Sequence, residues 1–365
     1  MAQPQAGVLG VSHAIADASS LPFVTAVVPC RNEERFIAAC LDSILAIDYP
    51  DDRLEILVVD GMSEDRTRAI AGEYVDRFAR VRLLDNPKRI LAAAWNTGIR
   101  HARGEIIMAL NAHTTFAPDY IATCVRYLGE HPRAACVGGV VRTLPQDDTP
   151  MGRVLALAVS HPFGVGASRF RTGVRHPVWT DTAAFGGYRR GVFEAVGMFN
   201  EELQRSQDME LHLRLKRAGM KTLLVPGMVG TYYTRTRPAE FLRYCYVNGY
   251  WLTYPLRFSA DMFSLRHLVP MVFVASLSVS ALAGLVSPAA RWVALSIVVL
   301  YASASLAVSI STALSKRRSA YLLLPVAFLA LHLLYGCGSI AGLVHAGRSR
   351  RFWRNLRRAA AGSAA

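Results

Sequence analysis

Phe23-Val24-Thr25-Ala26-Val27-Val28-Pro29-Cys30-Arg31-Asn32-Glu33-Glu34 decides the fold. An apolar, β-branched run stops abruptly at polar residues, and positions 33–45 then change period, with Phe36, Ile37, Cys40, Leu41 and Ile44 along one helical face. The unit repeats: strand 54–59 with helix 64–78, strand 81–84 with helix 90–102, then strand 106–110. Alternating strands and helices predict an α/β domain with a Rossmann-like, mostly parallel sheet flanked by helices. Ligands of such sheets bind outside the carboxyl ends of the strands, so the residues just after each strand are the candidates. No G-x-G-x-x-G follows the first strand, which argues against a dinucleotide dehydrogenase.

Two carboxylates, Glu33 and Asp60, stand at neighbouring strand ends, able to accept hydrogen bonds from a base N–H or from ribose hydroxyls. Gly61 permits a tight turn, and Ser63 or Asp65 can cap the following helix. On the residues alone, two capping turns without a ligand are the alternative.

The run 27–34, the run Ile56-Leu57-Val58-Val59-Asp60-Gly61-Met62-Ser63-Glu64-Asp65-Arg66-Thr67 and the helix 96–105 together resemble the nucleotide-binding half of family 2 glycosyltransferases with the GT-A fold. The resemblance covers roughly residues 23–260, and its membrane-attached pattern is most similar to ExoA-like enzymes of succinoglycan and related exopolysaccharide assembly. It implies inverting transfer of a single sugar, glucose or another hexose, from a UDP-sugar to a polyprenyl-diphosphate-linked saccharide. Pro29, Arg31, Glu33, Asp60, Gly61, Ser63, Lys88 and Asn111 then become nucleotide-sugar-binding residues, with Lys88 or Arg89 near the diphosphate. Where the family has Asp-x-Asp for Mn²⁺ or Mg²⁺, this chain has Asn111-Ala112-His113. An amide and an imidazole can ligate Mn²⁺ but add no negative charge, so a lapsed metal site stays open beside a working one.

Ser206-Gln207-Asp208-Met209-Glu210-Leu211 opens a helix whose apolar stripe includes Leu211, Leu215 and Ala218. On the residues alone Asp208 favours the helix dipole. The resemblance makes it the catalytic base, with Gln207, Glu210 and Arg214 in support. Loops containing Asp181, Gly186 and Gly187 are expected on the acceptor side; Arg171, Arg175, Arg189 and Arg190 either meet a lipid diphosphate or solvate a surface.

The net charge of +14 over 365 residues is unevenly placed. Eleven of the 41 basic side chains lie beyond Asp261, the last acidic residue, leaving 30 against 27 acidic before it. Nucleic acid therefore has no support as a partner. The back third carries three apolar stretches, 267–286, 292–311 and 320–345, each near the roughly 20 residues that cross a bilayer. Expected organisation is a disordered leader (1–21), the catalytic domain (22–237), an aromatic interfacial segment (238–265), a transmembrane region (266–346) and a basic tail (347–365). Residues 1–21 show no secretory pattern, and six scattered cysteines suit a reducing compartment, so the domain is expected on the cytoplasmic side of a bacterial-type inner membrane. Lipids and other glycan-assembly proteins are the implied partners. Three full spans would export a tail with six arginines, against the preference of basic flanks for the cytoplasm, so the third stretch is read as re-entrant, broken at Gly336-Cys337-Gly338. The polymer-gripping Gln-x-x-Arg-Trp of processive synthases is not reproduced at 243–251, which favours single-sugar addition; a processive synthase and an inactive tethered binder remain as alternatives.

Overall fold

The computed structural model describes residues 21–259 and 265–362, so the leader, apart from Leu21, lies outside the described residues. Among these, nine strands form one mixed sheet: β1 (Val24–Cys30), β2 (Leu54–Asp60), β3 (Val81–Asp85), β4 (Ile106–Ala109), β5 (Thr114–Phe116), β6 (Ala134–Pro145), β7 (Val178–Thr180), β8 (Ala184–Arg189) and β9 (Lys221–Thr234). Their order is β3-β2-β1-β4-β8-β6-β9-β5, with β7 added to β9. The first four strands are parallel, as is the β6–β9 pair, whereas β5, β7 and β8 run antiparallel to their neighbours.

Nine helices accompany the sheet: α1 (Ile37–Leu45), α2 (Thr67–Arg77), α3 (Leu91–His101), α4 (Tyr120–Glu130), α5 (Pro150–Ala158), the short α6 (Pro162–Val165), α7 (Arg169–Thr172) and α8 (Gly191–Val196), and α9 (Gln207–Arg217). β1 and β2 are buried along their whole length because both sheet faces are covered. Val24, Ala26 and Val28 join α1, α2 and α4 in one core, while Val27, Leu57 and Val59 join α3 and α9 in the other. Register leaves Cys30, Asp60 and Asp85 side by side where three parallel strands end.

The back of the chain folds as α10 (Pro238–Thr253), α11 (Val269–Ala283), α12 (Pro288–Ser315), α13 (Leu324–Gly347) and α14 (Arg350–Gly362). Pro288–Ser315 and Ser319–Gly347 are long and apolar enough to cross a membrane. The stretch 267–286 is not: it gives a 15-residue helix that ends at Gly284, whose carbonyl accepts from Arg291. The break expected at Gly336-Cys337-Gly338 is also absent, because those glycines serve packing. A Cβ on Gly338 would lie 2.1 Å from the Tyr246 carbonyl oxygen, one on Gly342 2.3 Å from that of Tyr250, and one on Gly249 2.0 Å from that of Tyr335. Only glycine lets α10 and α13 touch backbone to backbone this way.

α10 is thus not a free interfacial helix. It is clamped between α13 and the sheet domain, with Arg205 donating to the Asn248 side chain (2.8 Å) and Ser206 to the Trp251 carbonyl (3.0 Å). α13 lies along the domain from its first half, where Phe328 packs on Phe163 (4.9 Å between centroids), to its end, where His345 meets the Tyr250 hydroxyl (2.5 Å). The tail docks there too: Asn355 donates to the Arg257 and Phe258 carbonyls, 2.9 Å each. α12 is outermost, with Trp292, Leu300 and Leu314 about 70% exposed.

Candidate active site

The loops after β1 and β2 are laced into one platform. Asn32 N–H donates to Ser63 Oγ, Glu33 N–H to Thr67 Oγ1 and Glu34 N–H to Asp65; in return Glu64 N–H donates to Asn32 Oδ1 and Arg66 N–H to Glu34. Asn32 (φ 55°) and Met62 (φ 59°) adopt left-handed backbone to make these turns, an ordinary conformation for Asn and a strained one for Met. Gly61 fits because a Cβ would sit 3.1 Å from Arg31 Cβ. Against desolvation, the largest single influence, hydrogen bonds from Thr67, Glu34 and its own backbone together hold Asp65 below the usual carboxylate range.

Asp60 is not among the residues lining the strand-end cavity. Its fully buried carboxylate accepts from Ser63 N–H and Oγ and from Arg68, which also reaches Asp85 at 2.6 Å. It therefore pins the second loop from within. Glu33 does face the cavity, but with a partner 80 residues away: its Oε1 lies 2.9 Å from His113 Nδ1. An ionised carboxylate only accepts, so His113 donates from Nδ1 and its lone pair is on Nε2. Together with Arg31, Phe36, Gln146, Tyr232 and Arg235 they line a cavity of 380 Å³ at the carboxyl ends of the strands.

This pair suits a divalent ion. A histidine that ligates metal commonly gives its other N–H to a carboxylate; Asn111, two residues earlier on the same loop, carries an amide but is not among the residues lining the cavity. One imidazole and one amide favour Mn²⁺ over Mg²⁺ and leave much of the coordination to a ligand's own oxygens. Among the described residues no group of three or more His, Cys, Asp or Glu side chains stands ready to hold an ion unaided.

Asp208 sits in the first turn of α9, after Ser206 at φ 61°. It has no ion-pair partner within 4 Å among the described residues. Desolvation raises its carboxyl above the usual range, opposed by nearby backbone N–H groups and the charge of Arg171. Glu210 and Arg214 form a bidentate pair (2.9 and 2.8 Å), and Arg214 also donates to the carbonyls of Gly197 and Met198, tying α9 to the preceding loop. Gln207 is buried, with Oε1 lacking a hydrogen-bond partner.

Several sequence candidates lie elsewhere. Lys88 is held by Glu201 at 2.6 Å, outside the cavity lining. Asp181 lines a separate cavity with His212 and Lys216. Gly186 and Gly187 lie within β8, where a Cβ would meet Cys136 Sγ (2.5 Å) and Cys124 Sγ (2.3 Å), so they admit sulfur atoms of the core, not a sugar. Arg189 and Arg190 cap backbone carbonyls, Arg175 is exposed, and Arg171 reaches the Tyr244 hydroxyl, outside the cavity lining, its charge acting on Asp208. The sequence reading missed Tyr232 and Arg235, although Tyr232-Tyr233-Thr234-Arg235 also closes a parallel strand and the same strand-end rule points to it.

Comparison with known proteins agrees with this architecture. Residues 25–197 match the model of the family described as glycosyl transferase family 2. The chain is 26% identical over 329 residues to a Methanococcus voltae dolichyl N-acetyl-alpha-D-glucosaminyl phosphate 3-beta-D-2,3-diacetamido-2,3-dideoxy-beta-D-glucuronosyltransferase, covering 88% of this chain and 97% of the relative. It is 29% identical over 335 residues to the succinoglycan biosynthesis protein ExoA of Rhizobium meliloti, covering 90% and 94%. Among solved structures, the mannosyltransferase PcManGT from Pyrobaculum calidifontis, in complex with GDP-Man and Mn²⁺, superposes with a TM-score of 0.55 at 20% identity, covering 90% of this chain and 88% of that one; this shows a shared fold.

Proposed function

Since residues 25–197 are a glycosyl transferase family 2 domain on a GT-A-type fold, we propose that the protein transfers one hexose, with inversion, from a UDP-sugar to a polyprenyl-diphosphate-linked saccharide at a membrane surface. The observation that carries the reading is Asp208: a desolvated carboxylate in the first turn of α9, with no ion-pair partner within 4 Å among the described residues. A desolvated carboxylate gains basicity toward a hydroxyl proton. In the transfer the acceptor oxygen bonds to the anomeric carbon from one face, the bond from that carbon to the diphosphate oxygen breaks on the other, and the hydroxyl proton passes to Asp208. The platform of Arg31 to Thr67 orients the nucleotide, with Glu33 and Asp60 acting through His113 and Ser63. His113 and Asn111 would hold Mn²⁺, which neutralises charge on the departing diphosphate.

Relatives named for a dolichyl phosphate-linked substrate and for succinoglycan biosynthesis support a lipid-linked or exopolysaccharide acceptor. The long apolar helices support membrane attachment. The approach of Arg351 in the tail to Glu202 of the catalytic domain (3.8 Å) supports placing both on one side of the membrane, which we take as the cytoplasmic one. The test is transfer by purified protein, with UDP- and GDP-sugars, lipid-linked saccharides and Mn²⁺. A lipid product longer by one residue, of inverted anomeric configuration, is expected. Binding of donors without transfer to any acceptor would favour a tethered binder, and long polymer a processive synthase.

A further inference from the structure

Three arginines gather around one phenol where the catalytic domain meets the apolar helices. Arg171 comes from α7, Arg205 from the residues before α9, Arg235 from the end of β9, and Tyr244 from α10. The Arg235 guanidinium lies 5.4 Å and that of Arg205 5.8 Å from the Tyr244 ring centroid, and Arg171 Nη2 is 3.4 Å from the hydroxyl. All three arginines are half-buried. Arg205 has one side-chain partner, Asn248, and Arg171 Nη1 is buried with none.

None of the three has a carboxylate within 4 Å among the described residues. Six other arginines of this domain, Arg35, Arg68, Arg80, Arg103, Arg153 and Arg214, meet carboxylates, and Arg189 and Arg190 donate to backbone carbonyls. Three desolvated like charges and a buried unused donor are costly unless an anion shares them. Burial lowers the pKa of Arg205, with the charges of Arg235 and Arg243 acting in the same direction. Guanidinium groups match phosphate oxygens in pairs, and several convergent ones suit a group with two phosphates. The need is specific to this chain, because Asn111 and His113 bring no negative charge for a cation to sit on.

We propose that Arg171, Arg205 and Arg235, set around Tyr244, form a diphosphate-binding site, and that its ligand is the diphosphate of the lipid-linked acceptor. The proposal rests on the transferase reading and names the group that anchors the acceptor. Placement selects the source: Tyr244 packs against the apolar cluster shared by α5, α10 and α13, so a diphosphate held here has its hydrocarbon chain beside the apolar helices. Arg205 stands three residues before Asp208, and the charge of Arg171 also acts on that carboxylate, so the saccharide end of such a ligand is assigned to the side of the base. The donor's diphosphate is the other source of the same chemistry.

The test measures binding, without turnover, to the full-length protein in nanodiscs. Probes are geranylgeranyl diphosphate, geranylgeraniol and UDP; variants are Arg171→Gln, Arg205→Gln and Arg235→Gln, their Lys counterparts, and Arg243→Gln on the exposed face of α10 as control. Each Gln variant should weaken geranylgeranyl diphosphate by about tenfold or more, with the Lys variants intermediate. Geranylgeraniol should change less than about twofold in every variant, UDP should change less than about twofold in the Arg171 and Arg205 variants, which lie outside the donor cavity lining, and Arg243→Gln should match wild type. Loss of UDP affinity with geranylgeranyl diphosphate unchanged would overturn the acceptor assignment in favour of the donor. Unchanged affinity for both, in variants whose thermal unfolding matches wild type, would overturn the site itself. Transfer activity with unchanged binding would do the same while leaving the transferase reading intact.

Discussion

A carboxylate that must take a proton near neutral pH works best when it is poor in partners, and Asp208 is poor in them where Glu210, two residues on, is saturated by Arg214. Asp208→Asn should lower transfer by about 10²- to 10⁴-fold, measured as initial rate. The same change should raise Tm at pH 7. A folded-state pKa above the unfolded value contributes stability that is present below the unfolded pKa and lost as pH rises through the folded one, so the charged Asp208 opposes folding at neutral pH. In the wild type, the rate should fall as pH drops through that raised pKa, above the usual carboxylate range near 4. Glu33 and His113 invite a separate measurement: Glu33→Gln should weaken Mn²⁺ binding by about 10- to 100-fold in an EPR titration, since it removes the carboxylate that fixes the imidazole. Glu33 stood out by its place at a strand end, whereas Asp208 became the candidate base only through the family resemblance, its place in the chain alone suggesting a helix-dipole role. The partner of Glu33 was not legible, because pairing across 80 residues depends on how the sheet brings β1 and β4 together.

At the scale of elements, period and strand-end polarity were enough to place β1 to β4 and the helices between them. Glycines were harder, since one residue type serves opposite purposes. Gly336 and Gly338 read as a helix break, and Gly186 and Gly187 as a sugar-facing loop; all four instead stand where a Cβ would strike a neighbour. Gly338→Ala and Gly249→Ala should each cost about 1–3 kcal/mol through overpacking of the α10–α13 contact, seen as a lower Tm. Gly72→Ala, in α2 with open space around it, should stabilise by about 0.5–1 kcal/mol. The contrast separates crowding from a general effect of glycine replacement.

Across the whole molecule, the charge that looked like a property of the protein belongs to its back third, and the fold brings that third round to the catalytic domain. Arg351 lies 3.8 Å from Glu202, and Asn355 is bonded to the turn after α10, so the tail and the site are expected on one side of a membrane. Cysteine labelling in sealed vesicles should therefore find Arg354→Cys and Arg31→Cys reactive from the same side; opposite sides would mean that the tail is exported. The sequence left this open because the docking contacts join residues about 100 positions apart and leave no mark on local hydropathy. What unites the scales is the proposal of inverting transfer with Asp208 as base. The rate of sugar transfer by purified Asp208→Asn, set against wild type on the same lipid-linked acceptor at neutral pH, tests this most directly. The expected result is wild-type product longer by one sugar and a variant rate below about 1%; a variant that turns over at the wild-type rate would contradict it.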